Sequence, residues 1–233
     1  MSNPVAAILG AGPGNGLAFA RKFAAEGYAC ALCARDGDRV AASAQDIPGA
    51  RGYAYDVTQT TDATRVFAAI EADLGPVDTV IYNAGSGTWG NIDKVTPEDL
   101  LRNMDINAAG LMRAAQAVLP QFRKQGRGNL IVIGAGAATR GRPGTIAFAA
   151  GKAAQRSVAQ SLGRQLGAES IHVAYVIIDG VIASDRTRGQ MADKAEDDFL
   201  QPEAIADTVW ALTRQDKSAW SFEIDIRPFA EAW

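Results

Sequence analysis

A chain of 233 residues is long enough for one sizeable α/β domain and short for two. Its 48% hydrophobic and 21% charged residues, with a formal net charge of -3, exclude a disordered chain and offer no basic surface for nucleic acid. Two cysteines and one histidine are too few for a Cys/His zinc site, so no metal is expected.

The opening stretch, MSNPVAAILGAGPG, has no basic residue ahead of its apolar run. Glycine and proline break that run before it could act as a signal or a membrane span, so a cytoplasmic chain without a membrane partner is expected. VAAIL predicts a strand and GLAFARKFAAEG a helix. Between them GAGPGNG sets Gly10, Gly12, Gly14 and Gly16, with Pro13 and Asn15, in a strand-to-helix turn. Glycines there let the backbone and the helix N-terminus approach a pyrophosphate, which makes the turn a candidate phosphate cradle. The fingerprint GxGxxG counted from Gly10 ends on Asn15, whereas GxxxGxG through Gly10, Gly14 and Gly16 fits.

YACALC predicts the second strand. Its Cys30 and Cys33 form a CxxC, but within a strand the two thiols point to opposite faces, which favours buried core cysteines over a redox pair. The pattern continues as DRVAASAQ (helix), GYAYDV (strand), ATRVFAAIEADLG (helix) and VDTVIYN (strand). One long helix, PEDLLRNMDINAAGLMRAAQAVLPQFRKQG, precedes NLIVIG (strand), TIAFAAGKAAQRSVAQSLGRQLG (helix) and IHVAYVIID (strand), where His172 is a strand-start residue without a chemical role. Apolar strands alternating with amphipathic helices predict a three-layer, doubly wound parallel sheet, Rossmann-like, as a single domain over residues 1–233. The charged segment 184–204 breaks the rhythm and is expected to be a mobile lid. SFEIDIRPFAEAW predicts a last strand and a tail whose aromatics dock on the body or on a neighbouring subunit.

Taken in order, GxxxGxG at 10–16, Asp56-Val57 after the third strand, Asn83-Ala84-Gly85 after the fourth, Asn107 and Lys152 resemble the short-chain dehydrogenase/reductase family over nearly the whole chain. The resemblance implies a nicotinamide cofactor, with Asp56 on the adenine amino group and Val57 beside it. Asn83, Ala84 and Gly85 would line the adenosine ribose side and brace the central sheet. It also implies that Gly180, Ile182 and Ser184 contact the cofactor, with Ser184 where a threonine often meets the carboxamide. After the second strand the family's NAD-selecting acid falls on Ala34 and is followed by Arg35, a planar cation suited to the extra phosphate of NADP. NADP is therefore favoured, while Asp36 keeps NAD open if the register shifts.

Hydride transfer in the family is supported by an asparagine, a serine, a tyrosine and a lysine. Asn107 and Lys152 match two of them; the tyrosine's place, four residues before the lysine, is Phe148, and the serine's place falls on Ala135. Both groups that would touch the substrate oxygen are thus replaced. Asp179, before Gly180, is a candidate proton donor if an apolar pocket keeps it neutral, the alternative being an aspartate that shapes a turn. Ser86, Thr88, Thr139 and Thr145 could supply hydroxyls.

Two functions follow from the resemblance: an NADP(H)-dependent oxidoreductase acting on a small molecule by a non-standard proton path, or a cofactor-binding protein with a sensing or structural role. A Ser/His/Asp hydrolase is disfavoured, because GxSxG is absent. Small-residue faces such as AAGKAAQ, together with the resemblance, imply a homodimer or homotetramer.

Overall fold

A strand with apolar residues at every position has to be covered on both faces. In β1 (Val5–Leu9) all five residues are buried; Val5, Ala7 and Leu9 face one helix layer and Ala6 and Ile8 the other. The computed structural model describes residues 3–230 of the chain. In it β1 is followed by α1 (Asn15–Ala25), β2 (Ala29–Ala34), α2 (Gly37–Gln45), β3 (Ala50–Ala54), α3 (Thr60–Leu74) and β4 (Val77–Tyr82). The second half contains α4 (Pro97–Met104), α5 (Gly110–Gln125), β5 (Gly128–Ile133), α6 (Ile146–Leu166), β6 (Ile171–Ile178), β7 (Val181–Ile182), α7 (Asp185–Gln190), β8 (Phe199–Leu200), α8 (Pro202–Thr213) and β9 (Glu223–Ile226).

Seven strands form one parallel sheet in the order β3-β2-β1-β4-β5-β6-β9. Helices α3, α5 and α6 cover one face through Phe67, Ile70, Leu111, Val118, Phe122 and Ala159. The opposite face is covered by α1, α2 and α8 through Phe19, Phe23, Val40, Ile205 and Val209. Fully buried side chains such as Phe19 and Phe23 each contribute about 1.5–3 kcal/mol through apolar burial. The strand order reverses between β1 and β4, and at such a switch point a crevice opens beyond the carboxyl ends of the strands.

The two cysteines divide as alternation requires, Cys30 in one core and Cys33 in the other, and burial pushes both thiols up, Cys30 to about 12. His172 lies in β6, where its ring stacks on Trp220 at 4.7 Å between centroids and its Nε2 donates to the Ser221 carbonyl. Burial lowers its pKa.

Two expectations are adjusted, and the charged segment gains defined elements. The single long helix is α4 and α5 joined through one π-helical turn, Asp105–Ala109, whose extra residue per turn shifts the side chains that follow. Segment 184–204 carries α7, a 3-10 turn at Glu196–Asp198 and β8, which pairs in parallel with β7. The tail aromatics do not share one fate: Phe222 packs on the core, Phe229 is exposed, and Trp233 lies outside the described residues. Among the described residues no helix is long and apolar enough to cross a membrane.

Candidate active site

The crevice is built first by the turn after β1. Gly10 adopts φ +94°, and a Cβ there would stand 2.5 Å from the Ala84 backbone nitrogen; one on Gly16 would stand 2.6 Å from the Ala11 Cα. Both positions therefore exclude side chains, because β4 and the turn itself approach so closely. At Gly12 and Gly14 a Cβ would meet nothing within 4 Å, so this part of the backbone faces open space. Asn83 Nδ2 donates to the Gly10 carbonyl at 2.7 Å and ties the end of β4 to the turn. Pro13 and Asn15 complete the wall of a cleft of about 980 Å³. Buried Asn15 Oδ1 has no hydrogen-bond partner among the described residues. An open glycine backbone at a helix N-terminus beside an unpaired acceptor suits a pyrophosphate with ribose hydroxyls to donate.

At the end of β2, Arg35 is exposed and Asp36 is committed elsewhere: its Oδ1 accepts from Arg39 N at 3.0 Å and caps α2. Arg39 then reaches back, its guanidinium donating to the Ala11 carbonyl at 3.0 Å. It sets a second cation beside the glycine turn, four residues after Arg35, that no sequence motif marked. Asp56 Oδ1 accepts from Thr58 N at 3.0 Å and Thr58 Oγ1 at 2.8 Å, so part of its carboxylate shapes the turn after β3. Val57 is buried, and its carbonyl accepts from Arg113.

A second cavity, of about 450 Å³, adjoins the first; Asn15, Asn83, Gly180 and Ile182 line both. Its walls bring together Ala135 at the end of β5, Phe148 and Lys152 on α6, and Asp179 after β6. Phe148 packs against Trp89 with ring centroids 4.9 Å apart. Trp89 leaves 65% of its surface exposed, so the indole presents an apolar face at the cavity mouth. The loop that carries it is fastened to the start of α6 by Gly90 N donating to the Gly144 carbonyl at 2.8 Å. No sequence motif marked Trp89.

Lys152 is buried, and its Nζ donates to the Ile133 carbonyl at 3.0 Å and to Gln155 Oε1 at 3.1 Å. Desolvation lowers its pKa to about 7. Asn107 sits in the π turn, where Nδ2 donates to the carbonyls of Ser86 at 3.0 Å and Asn103 at 2.8 Å while buried Oδ1 has no partner among the described residues. A Cβ on Gly85 would stand 3.4 Å from that Oδ1 and 3.6 Å from Lys152 Nζ, so the two polar groups flank the Gly85 backbone.

Asp179 corrects an expectation. It does not stand in an apolar pocket: Arg140 donates to both of its oxygens at 2.7 Å, and Arg227 approaches at 3.3 Å. Both of its oxygens are thus engaged in charge-assisted hydrogen bonds. The sidechain packs over Gly136, where any Cβ would collide with it. Three of the candidate hydroxyls also have hydrogen-bond partners. Thr145 Oγ1 donates to the Arg142 carbonyl at 2.9 Å, Thr139 Oγ1 donates to the Gly136 carbonyl at 2.9 Å, and Thr88 Oγ1 accepts from Asn103 at 3.0 Å. Ser184 caps α7, accepting from Thr187 N at 3.1 Å, on the wall of the first cleft.

Comparison with known proteins fits this geometry. The profile described as short chain dehydrogenase matches residues 4–195, most of the chain. The chain belongs to the short-chain dehydrogenase family. It is an oxidoreductase of that type, with the family's Rossmann nucleotide-binding fold. Oxidoreductase asL5 of Sarocladium schorii is 29% identical over 202 residues, spanning 86% of this chain and 81% of that protein. The crystal structure of a short-chain dehydrogenase from Rhodopseudomonas palustris is 30% identical, superposes with a TM-score of 0.84 and covers 98% of this chain and 100% of its own. A metagenomic short-chain oxidoreductase solved in complex with NADP is 25% identical, with a TM-score of 0.82 and 98% coverage of each chain.

Proposed function

We propose that this short-chain dehydrogenase uses NADP(H) to pass hydride to or from a small organic substrate without the hydroxyl acid of its family. The observation that carries the reading is the continuity of the two cavities. The wall of the glycine cradle becomes the wall of the chamber that holds Ala135, Phe148 and Lys152, through the shared residues Asn15, Asn83, Gly180 and Ile182. Phe148 and Ala135 stand, in this reading, where the family has tyrosine and serine.

When bound, the nicotinamide supplies the hydride; the chain's own residues hold and shield it. Gly12, Gly14 and the α1 N-terminus receive the pyrophosphate, and Asn15 Oδ1 offers an acceptor. Arg35 and Arg39 favour the extra phosphate of NADP, while one oxygen of Asp36 is engaged as a helix cap. The NADP in the metagenomic relative supports the same choice. Lys152, one helical turn from Phe148, lies within the chamber for the nicotinamide ribose. Trp89 and Phe148 supply an apolar wall that keeps water from the reacting centre. Cytoplasmic residence and assembly as a homodimer or homotetramer belong to the same proposal; exposed Leu101, Met104 and Met112 on α4 and α5 support assembly.

Titration of the purified protein with NADPH and NADH, followed by cofactor absorbance across carbonyl, imine and enone panels, tests the reading. Preferred binding of NADPH with turnover on one acceptor class is expected. A second reading, a nucleotide-binding protein without turnover, draws on the absence of a transferable proton at both Phe148 and Ala135. Tight NADPH binding with no turnover on any panel would decide for it.

A further inference from the structure

Reduction of a carbonyl or imine needs a proton on the atom that receives the electron pair, and the chamber leaves few sources. Phe148 and Ala135 carry none, Thr145 is engaged with the Arg142 backbone, and Asp179 is held by Arg140 and Arg227. Arginine does not give up its proton near neutral pH. Lys152 remains, and its surroundings are unusual for a buried cation. No carboxylate pairs with it among the described residues; its Nζ is held by two neutral acceptors, the Ile133 carbonyl and Gln155 Oε1.

We propose that Lys152 is itself the proton donor and acceptor of this site, and that buried Gln155 is the residue that positions it. This rests on the oxidoreductase reading and names the acid which that reading left open. The cradle suits both protonation states. An ammonium gives one N–H to Ile133 and one to Gln155 and keeps a third for the substrate, directly or through one water. A neutral amine gives the same two and presents a lone pair. In the reductive direction, hydride from reduced nicotinamide forms the new bond to the acceptor carbon, and the π pair moves to oxygen or nitrogen. The Nζ–H bond breaks to protonate that atom, leaving oxidised nicotinamide, an alcohol or amine, and neutral Lys152 to be reprotonated from solvent. Oxidation runs the same steps backwards, with the amine taking the proton.

Among the described residues, the polar and titratable groups packed about this proton can be named. From β6, the hydroxyl of Tyr175 donates to the Lys152 carbonyl at 3.3 Å and to Gln155 Oε1 at 3.4 Å, and burial pushes that phenol well up, so it stays neutral. Arg156 and Glu223, beside Tyr175, pair with each other. From the π turn comes Asn107, which is uncharged, and across the chamber Asp179 is neutralised by its two arginines. Burial without a counter-ion then sets Lys152 near 7, where an acid–base group works best at neutral pH. Gln155 contributes the acceptor while its own Nε2 has no partner among the described residues, a buried polar group retained at a cost to stability.

NMR of the apoprotein labelled with ¹³C-lysine reads the Lys152 titration without any turnover, its resonance being assigned by its loss in Lys152→Met. A midpoint near 7 is expected. Gln155→Glu should raise the midpoint and Gln155→Leu lower it, and the pH profile of kcat should move with each. Lys152→Arg tests the donor with its charge kept and should lower kcat by about 10²-fold or more. A wild-type midpoint at the ordinary lysine value of about 10 would overturn the proposal. So would a pH profile that stays fixed when the Gln155 variants shift the midpoint. Absence of turnover on every acceptor, with a midpoint near 7, would instead overturn the oxidoreductase reading beneath it.

Discussion

Restoring the family's hydroxyls tests the assignment of the chamber most directly. In Phe148→Tyr the new hydroxyl extends a half-buried ring that already lines the chamber and already rests on Trp89, so the ring need not move to present it. A lone phenol in a dry pocket would cost about 1–3 kcal/mol unless it is hydrogen-bonded, and Ala135→Ser, on the wall of the same chamber, offers a partner. Lys152 follows one turn later on α6, and its positive charge would draw the phenol's pKa down from about 10. General acid catalysis contributes roughly 10²- to 10⁴-fold, or about 3–5 kcal/mol off the barrier. The double variant should raise kcat on simple ketones by part of that span, since Lys152 already supplies a proton, read as NADPH absorbance loss with NADPH affinity measured separately by fluorescence. The gain should appear in kcat more than in KM, because a proton donor acts in the transition state. Intact NADPH binding with no rise in kcat on any ketone would refute the placement of Phe148 and Ala135 at the substrate oxygen.

Other consequences are as specific. Arg39→Ala removes the guanidinium beside the glycine turn and should weaken NADPH binding about 10- to 100-fold while changing NADH binding little; equal loss for both cofactors would assign Arg39 to the turn alone. Phe19→Ala, at a fully buried position between α1 and the sheet, should lower unfolding stability by about 3–5 kcal/mol in urea titrations, with the m-value unchanged. The lowered pKa of Lys152 also sets a sign for pH dependence. Between its folded value near 7 and the unfolded value of about 10.4, the unfolded chain binds a proton that the native chain lacks, so stability rises with pH across that window. The slope reaches at most about 1.4 kcal/mol per pH unit, and Lys152→Met should remove it. Equal slopes in the two proteins would place the titration elsewhere.

Much of the fold was legible because its causes are local and periodic. Strands apolar on both faces, such as VAAIL and VDTVIYN, can be satisfied only between two helix layers, and alternation alone sends Cys30 and Cys33 to different cores. The glycine turn was legible for the same reason: only glycine permits φ +94° at Gly10 against the Ala84 backbone, and only glycine at Gly16 clears Ala11. Less legible was the break at Asp105–Ala109, since a π turn adds one residue without changing composition or amphipathic character.

The chemistry of the chamber depends on partners far apart in sequence, and pattern reading fails there. Asp179 beside a glycine gives no hint that Arg140, in the loop after β5, and Arg227, after β9, will converge on it. That convergence replaces the apolar pocket which a proton-donor role required with two ion pairs, so the fate of one carboxylate is decided by two crossovers of the chain. Gln155 was overlooked for the opposite reason. It stands three residues from Lys152 on a helix rich in alanine, where a glutamine reads as surface, yet α6 turns that face inward and leaves it fully buried beside Tyr175. A buried glutamine with one group satisfied and one unsatisfied is a standing cost, and natural cores seldom keep such a residue without a use. Holding a lysine in both its protonation states is a use that an apolar side chain at the same position could not serve.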